Sequence, residues 1–331
     1  MSRADVVFVI LCLGATLYAT FAGADFGAGI WQLLGTGSPA AQRERIDARI
    51  AHSLGPVWEA NHVWLIFVLV VLWTAFPDAF APIMETLYVP LALAAVGIVL
   101  RGSGFAFGHV FSDRGGRVSG RVFAAASLLT PFFMGCAVGA IAAGDVVAGG
   151  SGDALGWVGP LPLLVGALFV ASCAYIAAVF LLDDCRRAGD EALADHFKGR
   201  AVVAAIVAGA LAVAGLVVLR ANGRYVFDGL VSEGLPFVLA SLILGAVTLA
   251  GLLRGWSRAL RPLAVGTFVM VIAGYAVAQY PYLLPTTLTV DQGAGVDATL
   301  TAVIVVFCVA LITVIPSLVL LYRLAQKQAL E

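Results

Sequence analysis

Long apolar runs alternate with short polar joins along this chain. Nine runs are long enough to cross a hydrocarbon core about 30 Å thick, which takes about 20 helical residues. They lie near 6–34, 51–76, 79–100, 120–143, 158–182, 200–219, 235–253, 263–283 and 299–322. The first is longer than a span needs, and its Gly-rich end, GADFGAGIW, fits a bend or a close approach to another backbone. The pattern predicts an all-α integral membrane protein with about nine transmembrane helices, and residues 1–331 form a single polytopic membrane domain. Helices 1–4 and 5–8 are expected to make two four-helix bundles, with helix 9 peripheral.

Composition agrees with that reading. Of 331 residues, 61% are hydrophobic and 12% charged, and the mean hydropathy is +1.00. A soluble domain holds about 25% charged residues. Residues 5–34 are too long and too apolar for a cleavable signal peptide. The net charge of −1 argues against nucleic acid as a partner. Cys12, Cys136, Cys173, Cys185 and Cys308 include no CxxC pair, so they read as small apolar residues and not as a disulfide or iron–sulfur framework.

The joins set the expected orientation. Loops after helices 1, 3, 5 and 7, with the C-terminus, hold 16 of the 19 Lys and Arg residues when Arg101 is counted at the start of the third loop. Only Arg3, Arg220 and Arg224 fall on the other side. The positive-inside bias therefore places the C-terminus in the cytoplasm and the N-terminus outside. An odd number of spans is required by the same alternation.

The stretch from His52 to Trp73, HSLGPVWEANHVWLIFVLVVLW, carries the most informative polar residues. An ionisable group near mid-bilayer costs about 2.5–3.5 kcal/mol on insertion scales, so each needs a reason. Read as one helix, the stretch puts His52 and Glu59 on a shared face, seven positions apart, with His62 three residues beyond Glu59. Asn61 lies among them. One reading is a packing site whose groups satisfy one another. The other is part of an internal proton or substrate path. With helix 1 running inward, Asp25 reaches its cytoplasmic half, and Glu59 lies roughly 12 Å into helix 2 from the same side. The two carboxyls thus fall at similar depth on adjacent helices, and Gly23 and Gly27 beside Asp25 leave room for water or for close helix approach. Glu85 on helix 3 reads as a group that snorkels or pairs.

No soluble-enzyme motif is present; GSGFAFG at 102–108 is too weak for a phosphate loop. Haem needs axial ligands. His109 and His196 fall in polar loops and read as solvated, while His52 and His62 lie on different faces, so the sequence offers no convincing ligand set.

GADFGAGI at 23–30, GPVWEANHVWLI at 55–66, FPDAF at 76–80, LRGSGFAFGH at 100–109 and YPYLLP at 280–285 together resemble subunit II of the cytochrome bd-type quinol oxidases, closest to its cyanide-insensitive branch. The motifs run in order over nearly the whole chain. The resemblance implies a haem-free subunit of a quinol:dioxygen oxidoreductase in the bacterial cytoplasmic membrane. Haems b and d are then expected in a haem-bearing subunit I, with which this chain forms a heterodimer. Small single-helix accessory subunits and a structural quinone occur in the family. The resemblance also implies a cytoplasmic proton path through Asp25 and Glu59, and dioxygen access near Trp64. Glu59 replaces the Asp of the best-known member and keeps the carboxylate; His62 replaces its Gln. His52, His62 and Asn61 stay open between path and packing.

A reading from another class is a proton-coupled secondary transporter with Asp25, Glu59 and His52 as its coupling site. Gly55-Pro56 supplies one interrupted helix, but its counterpart in the second half holds Gly209 and Gly215 with no Pro and no ionisable residue.

Overall fold

A computed structural model describes residues 1–35, 39–54, 58–108, 114–150, 152–256 and 258–326. The chain is helical almost throughout. Helices α1 (Arg3–Leu34), α3 (Trp58–Ala75), α5 (Tyr88–Gly108) and α6 (Arg114–Ala143) form a first bundle. Helices α7 (Pro160–Arg187), α8 (Glu191–Asn222), α10 (Leu235–Arg254) and α11 (Leu260–Gln279) form a second. Helix α12 (Asp297–Gln326) lies outside both and packs on α1 and α3. These nine helices occupy the nine apolar runs. Among the described residues seven are long and apolar enough to span on their own. The pair of α3 and the following helix, bent by 118°, raises that number to at most eight, and Tyr88–Gly104 of α5 is a shorter apolar helix.

Three short helices complete the chain: α2 (Ala40–Leu54), α4 (Pro77–Thr86) and α9 (Arg224–Val231). Two of them correct the expected boundaries. Among the described residues the run 51–76 holds the end of α2, at Leu54, and all of α3, from Trp58; residues 55–57 lie outside them. His52 and Glu59 therefore belong to different helices. The run 79–100 is divided as well. Pro77 starts α4, which turns 118° from α3 and buries Ala79, Pro82 and Thr86 while Glu85 stays exposed. Helix α5 then starts at Tyr88 and runs past Arg101 to Gly108.

Missing side chains set the closest helix contacts. At Gly27 an added Cβ would sit 1.9 Å from the Cys173 carbonyl oxygen, so α1 and α7 meet backbone to backbone. Trp31 Nε1 donates to the Ala174 carbonyl at 2.8 Å one turn further on. Gly135 meets Gly166 and Gly139 meets Pro162, which brings α6 onto α7 and joins the two bundles. The core along these seams is built from Phe26, Ile30, Ile176, Val179 and Leu182, all at most 3% exposed.

Each end of the molecule is tied by polar contacts. At one end Ser2 caps α1 and its hydroxyl donates to Asp291, Arg3 pairs with Asp297 at 2.8 Å, and Tyr280 donates to Asp5. Beside them a hairpin pairs Tyr282–Leu284 with Leu288–Thr289. At the opposite end Arg261 of α11 bridges Asp183 and Asp184 of α7 at 2.8 and 2.5 Å, and Arg45 of α2 pairs with Asp190 at 2.6 Å.

Gly27→Ala should therefore separate α1 from α7. Overpacking of this kind costs about 1–3 kcal/mol or more, and the thermal midpoint of the purified protein should fall. Gly120→Ala, whose Cβ would meet nothing within 4 Å, should leave it unchanged.

Candidate functional site

Asp25 lies on α1 where the helix is wholly buried, at 1% exposure. A lone carboxylate there would be very costly, so a partner is required. Arg101 supplies it from α5. Its Nη1 and Nη2 donate to the two Asp25 carboxylate oxygens, each at 2.5 Å, and Nη2 also donates to the Asp25 carbonyl at 3.0 Å. Both side chains are 2% exposed. Nε reaches Ser127 Oγ of α6 at 2.9 Å, and that hydroxyl donates in turn to the Phe123 carbonyl at 2.7 Å. Phe26 and Phe123 lie 4.8 and 4.7 Å from the guanidinium carbon, one ring from α1 and one from α6. Three helices thus close around one ion pair. The forked geometry of Arg, and not the point charge of Lys, is what the site uses.

Gly29 makes that arrangement fit. A Cβ there would stand 2.2 Å from Ser127 Oγ, so only glycine leaves the hydroxyl free to face Arg101. Gly23 and Gly27, expected to admit water or a close helix, take the second role. Gly27 meets the α7 backbone, and a Cβ on Gly23 would rest 3.6 Å from Cys173 Sγ. Tyr18 and Cys173 complete the buried surroundings of the pair at 5% and 0% exposure.

Helix α3 packs antiparallel to α1. Asn61 Nδ2 donates to the Phe21 carbonyl at 3.4 Å, and Phe67 fills the space left by Gly14. In that register the Glu59 backbone stands level with Gly23, within a turn of Asp25 along α1. The Glu59 and His52 side chains, and His109, lie outside the described residues. His62 is half-buried. Trp64 is half-buried too; it packs on the core that α1 shares with the second bundle and meets Phe67 edge to face at 6.2 Å.

Sequence reasoning missed Arg101, Ser127 and the two phenylalanines. Arg101 was assigned to a loop because it follows an apolar run. The available signal was the unpaired Asp25: a buried carboxylate calls for a cation on a neighbouring helix. Moving Arg101 into the membrane leaves the loop bias of Lys and Arg in place. His196, expected to be solvated, is half-buried near the start of α8 with Nδ1 3.1 Å from Gln42 Nε2. Burial, then the charge of Arg200, holds its pKa below the ordinary histidine range. Among the described residues no three His, Cys, Asp or Glu side chains converge on a metal site.

A polytopic helical membrane protein with a buried charge centre in its first bundle is the class this architecture defines. The profile of the family described as cytochrome bd terminal oxidase subunit II matches residues 3–325, and the chain belongs to that family. It is 28% identical over 134 residues to the cytochrome bd ubiquinol oxidase subunit 2 of Bacillus subtilis (strain 168), an alignment spanning 40% of this chain and 38% of that one. A second protein of that strain, provisionally named a cytochrome bd menaquinol oxidase subunit II, is 22% identical over 94% of this chain and 92% of its own length. A chain in the structure of the bd oxidase from Geobacillus thermodenitrificans superimposes with a TM-score of 0.77 at 27% identity, covering 98% of both chains.

Removing one member of a buried pair strands the other, at about 3–5 kcal/mol, whereas an apolar pair of similar volume is often tolerated. Arg101→Met and Asp25→Leu should each lower the thermal midpoint of the purified protein strongly. The double variant should melt above either single one. Additive losses would show that the two groups do not stabilise each other.

Proposed function

We propose that this chain is the haem-free subunit II of a quinol:dioxygen oxidoreductase. In that reading it supports a haem-bearing subunit I and carries protons toward the dioxygen-reduction site from the cytoplasm. Two quinols and one dioxygen give two quinones and two waters, and the protons used in forming water must cross protein to a buried site. Haems b and d belong to the partner, where they supply the redox chemistry. Family membership over residues 3–325 supports the assignment. The observation that carries the proton route is the Asp25–Arg101 centre, a charge buried in membrane depth and placed level with the start of α3. Intramembrane ionisable groups of this kind mark ion paths by default.

The residues divide the work as follows. Glu59, on α3 beside α1, is the carboxyl that takes up and passes on protons. Asp25 is the second carboxyl, its charge and orientation fixed by Arg101. Asn61 holds α3 against α1 at this level. Trp64 lines the dioxygen access, and His52 and His62 flank the route. Subunit I docks on the α3 and α12 side. There α12 exposes Thr301, Thr313 and Ser317 among its apolar residues, whereas the exposed face of α8 is bare Ala, Val and Ile fit for lipid. The N-terminus is periplasmic and the C-terminus cytoplasmic, as the Lys and Arg bias requires.

Quinol-driven oxygen consumption by the purified complex, normalised to haem, tests the route. Glu59→Gln keeps shape and hydrogen bonding but carries no proton. Turnover should fall by about 10²-fold or more, the scale of one lost acid–base group. Glu59→Asp should retain activity. Asp25→Asn should also slow turnover, although it strands the Arg101 charge, so Glu59→Gln is the cleaner arm. An unchanged rate in Glu59→Gln would remove the proton role, and haem loss in step with activity would make the residue structural.

Orientation has its own test. In intact cells an impermeant thiol reagent should label Leu155→Cys, before α7, and should reach Ala188→Cys, after it, only once the membrane is opened. Labelling of both from one side would sink the topology.

A further inference from the structure

Asp25 and Arg101 are held in register by a third element that the reaction itself does not require. Arg101 has five N–H donors. Three of them, one on Nη1 and two on Nη2, reach the Asp25 carboxylate and its carbonyl. The donor on Nε, at the stem end of the guanidinium plane, ends on Ser127 Oγ at 2.9 Å. Ser127 is 0% exposed and its hydroxyl is itself anchored to the Phe123 carbonyl at 2.7 Å. It therefore presents a lone pair to Nε in one direction only. On the opposite side, Gly29 leaves the space that any side chain would fill, 2.2 Å from the same oxygen. Gly29 stands one helical turn from Asp25 on α1, so the helix that carries the carboxylate also carries the gap.

We propose that Ser127 is a positioning residue for proton entry. By fixing Arg101 Nε it aims both Nη groups at Asp25, and Gly29 is the gap that allows it to do so. This rests on the reading that Asp25 and Glu59 lie on the proton route. Without the Ser127 acceptor, the Nε–H is stranded in a site at 2% exposure, and the guanidinium turns to find another partner. One of the two Asp25 bonds then lengthens. The ion pair survives, because the charges remain within contact, but the carboxylate no longer has a single orientation from which to accept and release a proton. Phe26 and Phe123 hold the guanidinium between them without fixing its rotation, since a ring face has no preferred azimuth.

The test uses the assembled oxidase with Ser127→Ala, Ser127→Thr and Glu59→Gln. Ser127→Ala should keep its full haem content and its KM for quinol, while kcat falls roughly tenfold, the effect of one charge-assisted hydrogen bond on a barrier. A fall confined to kcat locates the defect after quinol binding, which loss of packing would not do. Ser127→Thr restores the hydroxyl and should recover most of kcat. The proposal is overturned if Ser127→Ala leaves kcat unchanged, if haem content drops with it, or if Ser127→Thr stays as slow as Ser127→Ala. The Glu59→Gln arm separates the two levels of the argument. A slow Glu59→Gln with a normal Ser127→Ala removes the positioning role and leaves the proton route standing. Normal rates in both remove the route as well.

Discussion

A charge placed in hydrocarbon must be neutralised by another charge with matching geometry, and the Asp25–Arg101 pair meets that constraint for the whole first bundle. Each ion alone would carry a desolvation penalty of several kcal/mol. Together with Ser127 they satisfy both carboxylate oxygens, the Asp25 carbonyl and four of the five guanidinium donors. The consequences reach outward. Helix α5 cannot rotate without losing Asp25, α6 cannot slide without losing Ser127, and α1 must present the carboxylate and Gly29 on faces only a few residues apart. A stability interaction of this type is weak as a source of free energy and strong as a selector of one packing among many. The register of α1, α5 and α6 follows from it.

The second bundle is joined by different means. No ion pair of comparable burial lies between the bundles among the described residues; contact there depends on missing Cβ atoms. Gly27 against Cys173, Gly135 against Gly166 and Gly139 against Pro162 bring backbones close enough for dispersion and weak polar contacts to hold without a hydrophobic driving force. In a bilayer the lipid tails are as apolar as leucine, so close fit replaces burial as the selective term. The ion pairs of the second bundle sit at its polar end, where Arg261 spans Asp183 and Asp184 and water still competes.

Apolar run length made the all-helical, multi-span architecture legible in the sequence, with seven spans and at most eight among the described residues against the nine expected, because run length and polarity are one-dimensional properties. The dipeptide Gly55-Pro56 is legible as a possible interruption, but it lies outside the described residues, and the apolar pattern continues on its far side. The α4–α5 junction was hidden for a similar reason. Pro77-Asp78 marks the turn, but nothing in the local pattern distinguishes an interfacial helix from the first turns of a span. Asp25 was legible as a site because a carboxylate in an apolar run has no other excuse. Arg101 was not, because it stands at a run's end, where an arginine normally meets headgroups. Its pairing is a long-range fact between residues 76 apart. Ser127 was illegible for a plainer reason: a serine in a membrane helix usually bonds its own i−4 carbonyl, as this one does to Phe123, and the second bond, from Arg101, exists only in the folded chain.

The glycines beside Asp25 decide on which side a proton route can run. Gly27 is sealed by the Cys173 carbonyl, and a Cβ on Gly23 would stand at ordinary contact distance, 3.6 Å, from the Cys173 sulfur, so packed protein lines the α7 side of Asp25. Arg101, Ser127 and the two phenylalanines close the α5 and α6 sides. The remaining side faces α3, whose described polar contact with α1 at this level is the long 3.4 Å bond from Asn61 to the Phe21 carbonyl. A hydrogen bond at that length holds weakly. Among the described residues the α1–α3 seam is thus the boundary of the site with the longest polar contact, and it is the seam on which the Glu59 backbone stands. On the proposed reading the ion pair and the glycines thus share one task. They make three sides of Asp25 impassable, so that protons reach it from the side of the second carboxyl.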